Sequence, residues 1–331
     1  MRFIVYGAGG IGGPLGAFLH EAGEETVLIA RGEHLRRMRS DGLKVLAGDG
    51  ERCVRVQTAG HPAELTPRPD DVVLLTMKTQ DTEAALQDLR GVGFDPWTTP
   101  LFCVQNALAN ERIASRYFER VYGVMIVIPG IHLEPGVVIN PIAGNHGYMD
   151  VGRFPRGTDD LSASVTAAFR RAGYAAHEHP DVMAPKGAKF ITNLGNAMGA
   201  ITDGRGDEKP FMAQARAEAE ACLTAAGLPF EADESFWTRV RANRGKDIPL
   251  EGVAGGNRGS SWQSLMRGQG TIEADFLNGE VVMQGRIHGI PTPFNAVLQR
   301  VANEMARKRQ RPGLYSAEEL FEMATARSTK Q

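Results

Sequence analysis

Apolar residues follow two different rhythms along this chain. In its first half they come as short unbroken runs: Phe3 to Tyr6, Thr26 to Ala30, Asp71 to Thr76, Pro100 to Val104, and one within Tyr117 to Pro129. Runs of that length, apolar at successive positions and bounded by glycine, proline or polar clusters, predict strands buried on both faces of a largely parallel sheet. Between them lie stretches with helical spacing: one opening after Gly12, one near Thr82 to Leu89, and Asp159 to Ala172 with the stripe Leu161, Val165 and Phe169. Leu43 to Val56, turning at Gly48-Asp49-Gly50, predicts two short strands. Ile131 to Val151, rich in glycine, proline and β-formers, predicts short antiparallel strands closing the domain edge. From Asp181 onward the alternation almost disappears. Helices are predicted over Lys186–Ala200, Phe211–Ala226, Glu231–Arg244, Thr271–Gly289 and Phe294–Ala306, with a Gly-rich loop near Leu250 to Gly259 and a short helix and frayed tail after Arg307. The change of rhythm predicts an α/β chain with a Rossmann-type dinucleotide-binding domain over residues 1–179 and an all-helical domain over 180–331, the latter binding substrate or mediating a dimer.

The first strand runs into Gly7-Ala8-Gly9-Gly10-Ile11-Gly12 and then a helix. That order suits a dinucleotide: the first glycine makes the tight turn, the second lets backbone approach a pyrophosphate, and the third lets helix and strand pack closely. The second strand ends on Arg31, where an acid would hydrogen-bond a ribose 2′-hydroxyl and select NADH. A guanidinium there suits the 2′-phosphate of NADPH, with Arg36 or Arg37 as a second charge; the alternative is an ordinary solvated surface arginine. Lys78, and the amides of Gln105 and Asn106, follow the ends of two further predicted strands, where open α/β sheets bind ligands, although a loop lysine can equally be solvated. In KGAKFITNLGNAMGA, Lys189, Asn193 and Asn196 fall on one helical face, which either lines a cleft or faces solvent.

Composition narrows the field. With 331 residues and 42% hydrophobic content there is enough chain for two cores, and a net charge of −2 with 23% charged residues gives no field directed at nucleic acid or an anionic membrane. Cys53, Cys103 and Cys222 are far apart and odd in number, which argues for a reducing compartment and against a disulfide framework or a metal site. No apolar run reaches membrane-spanning length and no charged leader precedes the first strand, so a mature, soluble, cytoplasmic protein is expected.

Taken in order, GAGGIG, TMKTQD around Lys78, VQNALANE around Asn106, KFITN from Lys189 and SSWQSLMRGQGTIEADFLNG from Ser260 resemble the ketopantoate reductase (2-dehydropantoate 2-reductase) family over nearly the full length. The resemblance implies NADPH-dependent reduction of a 2-oxo acid to a 2-hydroxy acid, most simply 2-dehydropantoate to pantoate. It implies Lys189 as the proton donor, Glu273 as its carboxylate partner, Asn193, Ser261 and Asn106 as substrate contacts, and Lys78 and Asn106 reaching the nicotinamide end of the cofactor. An ammonium aimed at the keto oxygen would stabilise developing negative charge and deliver the proton. The chain departs from the family pattern at Ala107, where a glycine is usual, at Trp262 beside Ser261, and at Asn196, one residue early with Ala197 in the expected place. Ile272 also separates Thr271 from Glu273. Two other readings share the pattern: a dehydrogenase of another hydroxy or amino acid, and a non-catalytic NADPH-binding sensor.

Overall fold

A computed structural model describes residues 1–248 and 259–328; the Gly-rich loop expected near Leu250 to Gly259 lies almost wholly outside them. The chain forms two compact units, Met1–Lys186 with Ala232–Gly256, and Gly187–Glu231 with Asn257–Gln331.

The first unit is a Rossmann-like fold. Its strands β1 (Arg2–Tyr6), β2 (Glu25–Ile29), β3 (Leu43–Ala47), β4 (Gly50–Val54), β5 (Gln57–Ala59), β6 (Asp71–Leu75), β7 (Leu101–Cys103), β8 (Val121–Val127), β9 (Val137–Asn140), β10 (Ile142–Ala143), β11 (Tyr148–Arg153) and β12 (Ala175–Glu178) alternate with α1 (Gly12–Glu21), α2 (Gly32–Asp41), α3 (Thr82–Gly91), α4 (Asn110–Ala114) and α5 (Asp160–Arg171). Eight strands form one sheet in the order β12-β11-β8-β7-β6-β1-β2-β5. All neighbours pair in parallel except β8 and β11. The strands lack alternation because both faces are covered. Phe3, Val5, Val72 and Leu74 join a core with α1 and α5, whereas Ile4, Val73 and Leu75 join a second core with α3. Strand order reverses at β1, flanked by β2 and β6, and open sheets bind ligands at such a point.

The N-terminal ends of β1 and β6 are locked by a buried ion pair. Arg2 and Asp71 stand opposite each other in register. Arg2 Nε and Nη2 donate to the two oxygens of Asp71 at 2.6 and 2.9 Å, while Arg68 N–H also donates to that carboxylate at 2.7 Å.

Two expectations for this half need correction. β9 pairs in parallel with β3, in a small sheet where β4 is antiparallel to β3, so the segment after Ile131 is not purely antiparallel. The unit also recovers chain from beyond residue 180. Helix α6 (Met183–Asn193) starts in it, and the segment following α7 (Gly195–Ile201) and α8 (Lys209–Ala225) returns to it as α9 (Asp233–Asn243) and β13 (Lys246–Asp247). β13 pairs with β10, and Arg239 Nη1 lies 3.2 Å from the buried Asp150 carboxylate. A boundary at 179/180 misses this return because the contacts that draw it back are long-range.

The second unit is helical, with α7, α8, α10 (Ser260–Met266), α11 (Asn278–His288), α12 (Pro293–Arg307) and α13 (Ala317–Ser328). Two predicted helices are interrupted. Lys186–Ala200 breaks at Leu194, whose carbonyl accepts from Asn278 Nδ2 at 3.3 Å and is followed by Gly195, a poor helix former. Thr271–Gly289 is a 3-10 turn at Glu273–Asp275 followed by α11, which ends on Gly289 in the left-handed conformation.

Removing one member of a buried pair leaves the other charge desolvated, so Asp71→Ala should cost about 3–5 kcal/mol of unfolding free energy. Urea denaturation with a loss below about 1 kcal/mol, the range of an exposed pair, would show that Arg2 does not depend on it.

Candidate active site

The glycine-rich turn is built for close backbone approach. Gly7 has φ +111°, a conformation L side chains rarely adopt. A Cβ on Gly12 would overlap Gly7 O and Thr76 Oγ1, so no other residue lets α1 start this close to β1. The Thr76 hydroxyl lies within hydrogen-bond reach of Tyr6 O (2.9 Å) and Gly7 O (2.8 Å), and its N–H donates to Tyr6 O, tying the ends of β1 and β6 together. Gly13 N–H bonds to Gly9 O at 2.8 Å and starts the helical ladder, so the N–H groups of Gly10, Ile11 and Gly12 precede it at the positive end of α1. This is a cradle that fits a pyrophosphate.

His34 braces the turn. Its Nδ1 accepts from Gly136 N–H at 2.8 Å, which leaves the proton on Nε2 to be donated to Ala8 O at 2.7 Å. Burial lowers its pKa below the usual histidine value, with the bond to Ala8 working the other way.

The other candidates of this unit follow strand ends. Arg31 stands in extended conformation at the residue before α2, is 86% exposed, and reaches Asp81 at 3.6 Å. Arg36 and Arg37 both pair with Glu33 on their own helix, which occupies the charges expected to assist Arg31. Lys78 precedes a 3-10 turn at Thr79–Asp81, and Asn106 is half-buried after β7. Beside it Ala107 has φ +69°, in the left-handed region, where a glycine would sit without strain.

Lys189, Asn193, Ser261 and Glu273 all fall in the second unit. Lys189 and Asn193 lie one turn apart on α6, Lys189 half-buried and Asn193 4% exposed. Ser261 on α10 is 1% exposed, and Glu273 in the 3-10 turn is 4% exposed. Asn193 Nδ2 and Ser261 Oγ have no hydrogen-bond partner among the described residues. Buried polar atoms are normally paired, and these two are the kind a polar ligand completes. Asn196 belongs to α7, beyond the break at Leu194, and its amide lies against Gly259. Trp262 is buried.

A buried support, unread in the sequence, ends on Leu194 just past the last residue of α6. Asn278, which donates to Leu194 O, also donates to Asn295 Oδ1 at 3.0 Å, and Asn295 donates to Glu218 Oε2 at 2.8 Å. Glu218 accepts the N–H groups of Phe294 and Asn295, capping α12 from another helix, while burial pushes its carboxyl pKa up.

Two outcomes follow for stability. A histidine whose folded pKa is depressed contributes fully above its unfolded value of 6.5, and the contribution is lost as pH falls from there towards the folded value. The unfolding free energy should therefore decline over that window, and His34→Gln should flatten the decline; an unchanged slope would dissociate His34 from it. At position 107, relief of left-handed strain, about 1–2 kcal/mol, opposes the backbone entropy of glycine, about 0.5–1 kcal/mol, and the loss of a buried methyl, about 0.8 kcal/mol. Ala107→Gly should thus be nearly neutral, whereas Ala114→Gly in α4 should cost about 1–2 kcal/mol. Equal losses in thermal denaturation would show that Ala107 carries no strain.

Comparison with known proteins bears on the family and the fold. The models described as "Ketopantoate reductase PanE/ApbA" and "Ketopantoate reductase PanE/ApbA C terminal" match residues 3–156 and 181–306. The chain is 26% identical over 306 residues to the 2-dehydropantoate 2-reductase of Pyrococcus horikoshii, covering 90% of this chain and 95% of that protein. Among solved structures, a PanE/ApbA family ketopantoate reductase from Ralstonia eutropha JMP134 superposes with TM-score 0.76 at 23% identity, covering 93% and 99% of the two chains. A D-mandelate dehydrogenase, solved with NADH and anilino(oxo)acetate, has the same fold with TM-score 0.76 at 20% identity over 93% and 99%. Among the described residues there is no group of metal-ligand type and no helix long and apolar enough to cross a membrane. With a glycine cradle at the sheet's switch point, a helical second unit and both family models in sequence order, the chain belongs to the ketopantoate reductase family of oxidoreductases.

Proposed function

We propose that this protein reduces a 2-oxo acid to the 2-hydroxy acid with NADPH, and that 2-dehydropantoate is the acid. The observation that carries the reading is a pair of buried groups that find no hydrogen-bond partner among the described residues, Asn193 Nδ2 and Ser261 Oγ, in the unit that also holds Lys189 and Glu273. An amide N–H and a hydroxyl can hold a carboxylate and an adjacent hydroxyl without altering the charge of the site. NADPH, when bound, supplies the hydride that its nicotinamide C4 gives to the keto carbon. The Lys189 ammonium gives its proton to the keto oxygen as negative charge gathers there, and regains one from solvent afterwards. Glu273 orients that ammonium and accepts the substrate hydroxyl. Gly7 to Gly12 take the pyrophosphate, and Asn106 and Lys78 hold the nicotinamide end.

Arg31 supports NADPH over NADH. It stands at the end of β2 with no acid in its place, and its exposed guanidinium can stack on adenine and face a 2′-phosphate, with the ion pair to Asp81 as the competing interaction.

A screen of 2-oxo acids with NADPH and NADH tests class, cofactor and pocket together. NADPH absorbance should fall only when an acid is added, fastest with 2-dehydropantoate. Lys189→Ala should lower kcat/KM by about 10²–10⁴-fold with NADPH affinity kept, and Arg31→Ala should raise KM for NADPH while leaving NADH unchanged. Undiminished turnover in Lys189→Ala would remove lysine from the chemistry, and tight NADPH binding without turnover of any acid would favour a sensor.

A further inference from the structure

The turns that carry Lys78 and Asn106 are joined by a buried chain of hydrogen bonds. Gln105 Nε2 donates to Met77 O at 3.0 Å and to Thr82 Oγ1 at 2.7 Å. The Thr82 hydroxyl donates to Asn110 Oδ1 at 2.8 Å. Asn110 Nδ2 then donates to Thr79 Oγ1 at 3.1 Å and to Asn106 O at 2.7 Å. Thr79, Thr82, Gln105 and Asn110 are each at most 4% exposed.

The direction of this chain is forced. Met77 O at one end and Asn106 O at the other can only accept, so both amides must turn their nitrogens to them. That leaves Asn110 Oδ1 as an acceptor and the Thr82 hydroxyl to bridge it to Gln105, with one proton and one arrangement available. Each N–H of the two amides and the Thr82 hydroxyl proton is used. Gln105 is held from its backbone as well. Lys186 Nζ donates to Gln105 O at 2.9 Å while pairing with Glu111 at 2.6 Å.

We infer that Gln105, Thr82 and Asn110 are positioning residues, a relay that fixes the Lys78 turn and the Asn106 turn as one cofactor-facing surface. The inference rests on the reading of those two residues given above. Apolar side chains of similar shape would fill the same space at little cost; what the relay adds is a fixed separation between two backbone turns that come from different strands. Misplacement of a contact by about 1 Å can lower a rate about 10²-fold, which sets the scale of the effect.

The test compares Thr82→Val, which keeps shape and removes the bridging hydroxyl, with Thr82→Ser, which restores it. With the best acid from the screen, Thr82→Val should lower kcat about 10–100-fold while KM for NADPH moves less than about 3-fold, and Thr82→Ser should recover kcat to within about 3-fold. Hydrogen exchange read by mass spectrometry should show residues 76–82 and 104–110 losing protection together in Thr82→Val and keeping it in Thr82→Ser. An unchanged kcat, a serine variant as slow as valine, or loss of protection confined to one turn would overturn the relay. If Thr82→Val does not accumulate folded, Asn110→Asp, which keeps the acceptor and loses both donors, is held to the same criteria. A wild-type protein that turns over no acid would instead refute the proposed reaction, and the exchange pattern alone would then decide the relay.

Discussion

The constraint on which the first unit depends is the near-contact of three backbone segments at Gly7, Gly12 and Thr76. Helix α1 can leave the end of β1 only because no side chain stands between Gly12 and the Gly7 carbonyl, and because Thr76 supplies a donor there. The same residues hold β1 and β6 side by side where the sheet reverses its order, and the Arg2–Asp71 pair closes the opposite end of those strands. A ligand cradle and a sheet register are thus set by one arrangement. Hydrophobic burial on both faces supplies the stability, but it would tolerate other registers; the polar ends select one.

Polar groups buried without solvent do comparable work in both units. In the first, the Gln105 relay and the Lys186–Glu111 pair surround the turn after β7. In the second, Glu218, Asn295 and Asn278 form a line that ends on the broken turn of α6. Such networks add little net stability compared with apolar packing, but they have few alternative arrangements. Each ends on backbone next to a residue assigned to the proposed chemistry.

The sheet was legible because its central strands are buried on both sides and so read as unbroken runs, DVVLLT above all. The glycine turn was legible because its spacing carries a steric requirement. The short edge strands β5 and β12 were not, since Gln57–Ala59 and Ala175–Glu178 mix polar and apolar residues and owe their form to a neighbour. The break at Leu194 and the return of α9 depend on Asn278 and on the Arg239–Asp150 pair, partners far away in sequence. In the candidate site, Lys189 stood out by its helical spacing with Asn193 and took its role, as Glu273 did, from family resemblance, whereas Thr82 and Asn110 each open a helix and read as ordinary helix-start residues. Only the fold reveals them as buried and joined.

Helix α6 has a consequence for how this chain can be divided. Its Lys186 ammonium is 3% exposed and neutralises Glu111, which is fully enclosed, while also meeting the carbonyls of Cys103, Gln105 and Val124. A fragment cut where the hydrophobic rhythm changes, before residue 180, would keep the anion and discard its cation. The dinucleotide fold therefore does not end with β12, the last strand of its main sheet. It borrows the root of the helix that goes on to carry Lys189, so a cut at the change of rhythm would remove part of the first unit itself.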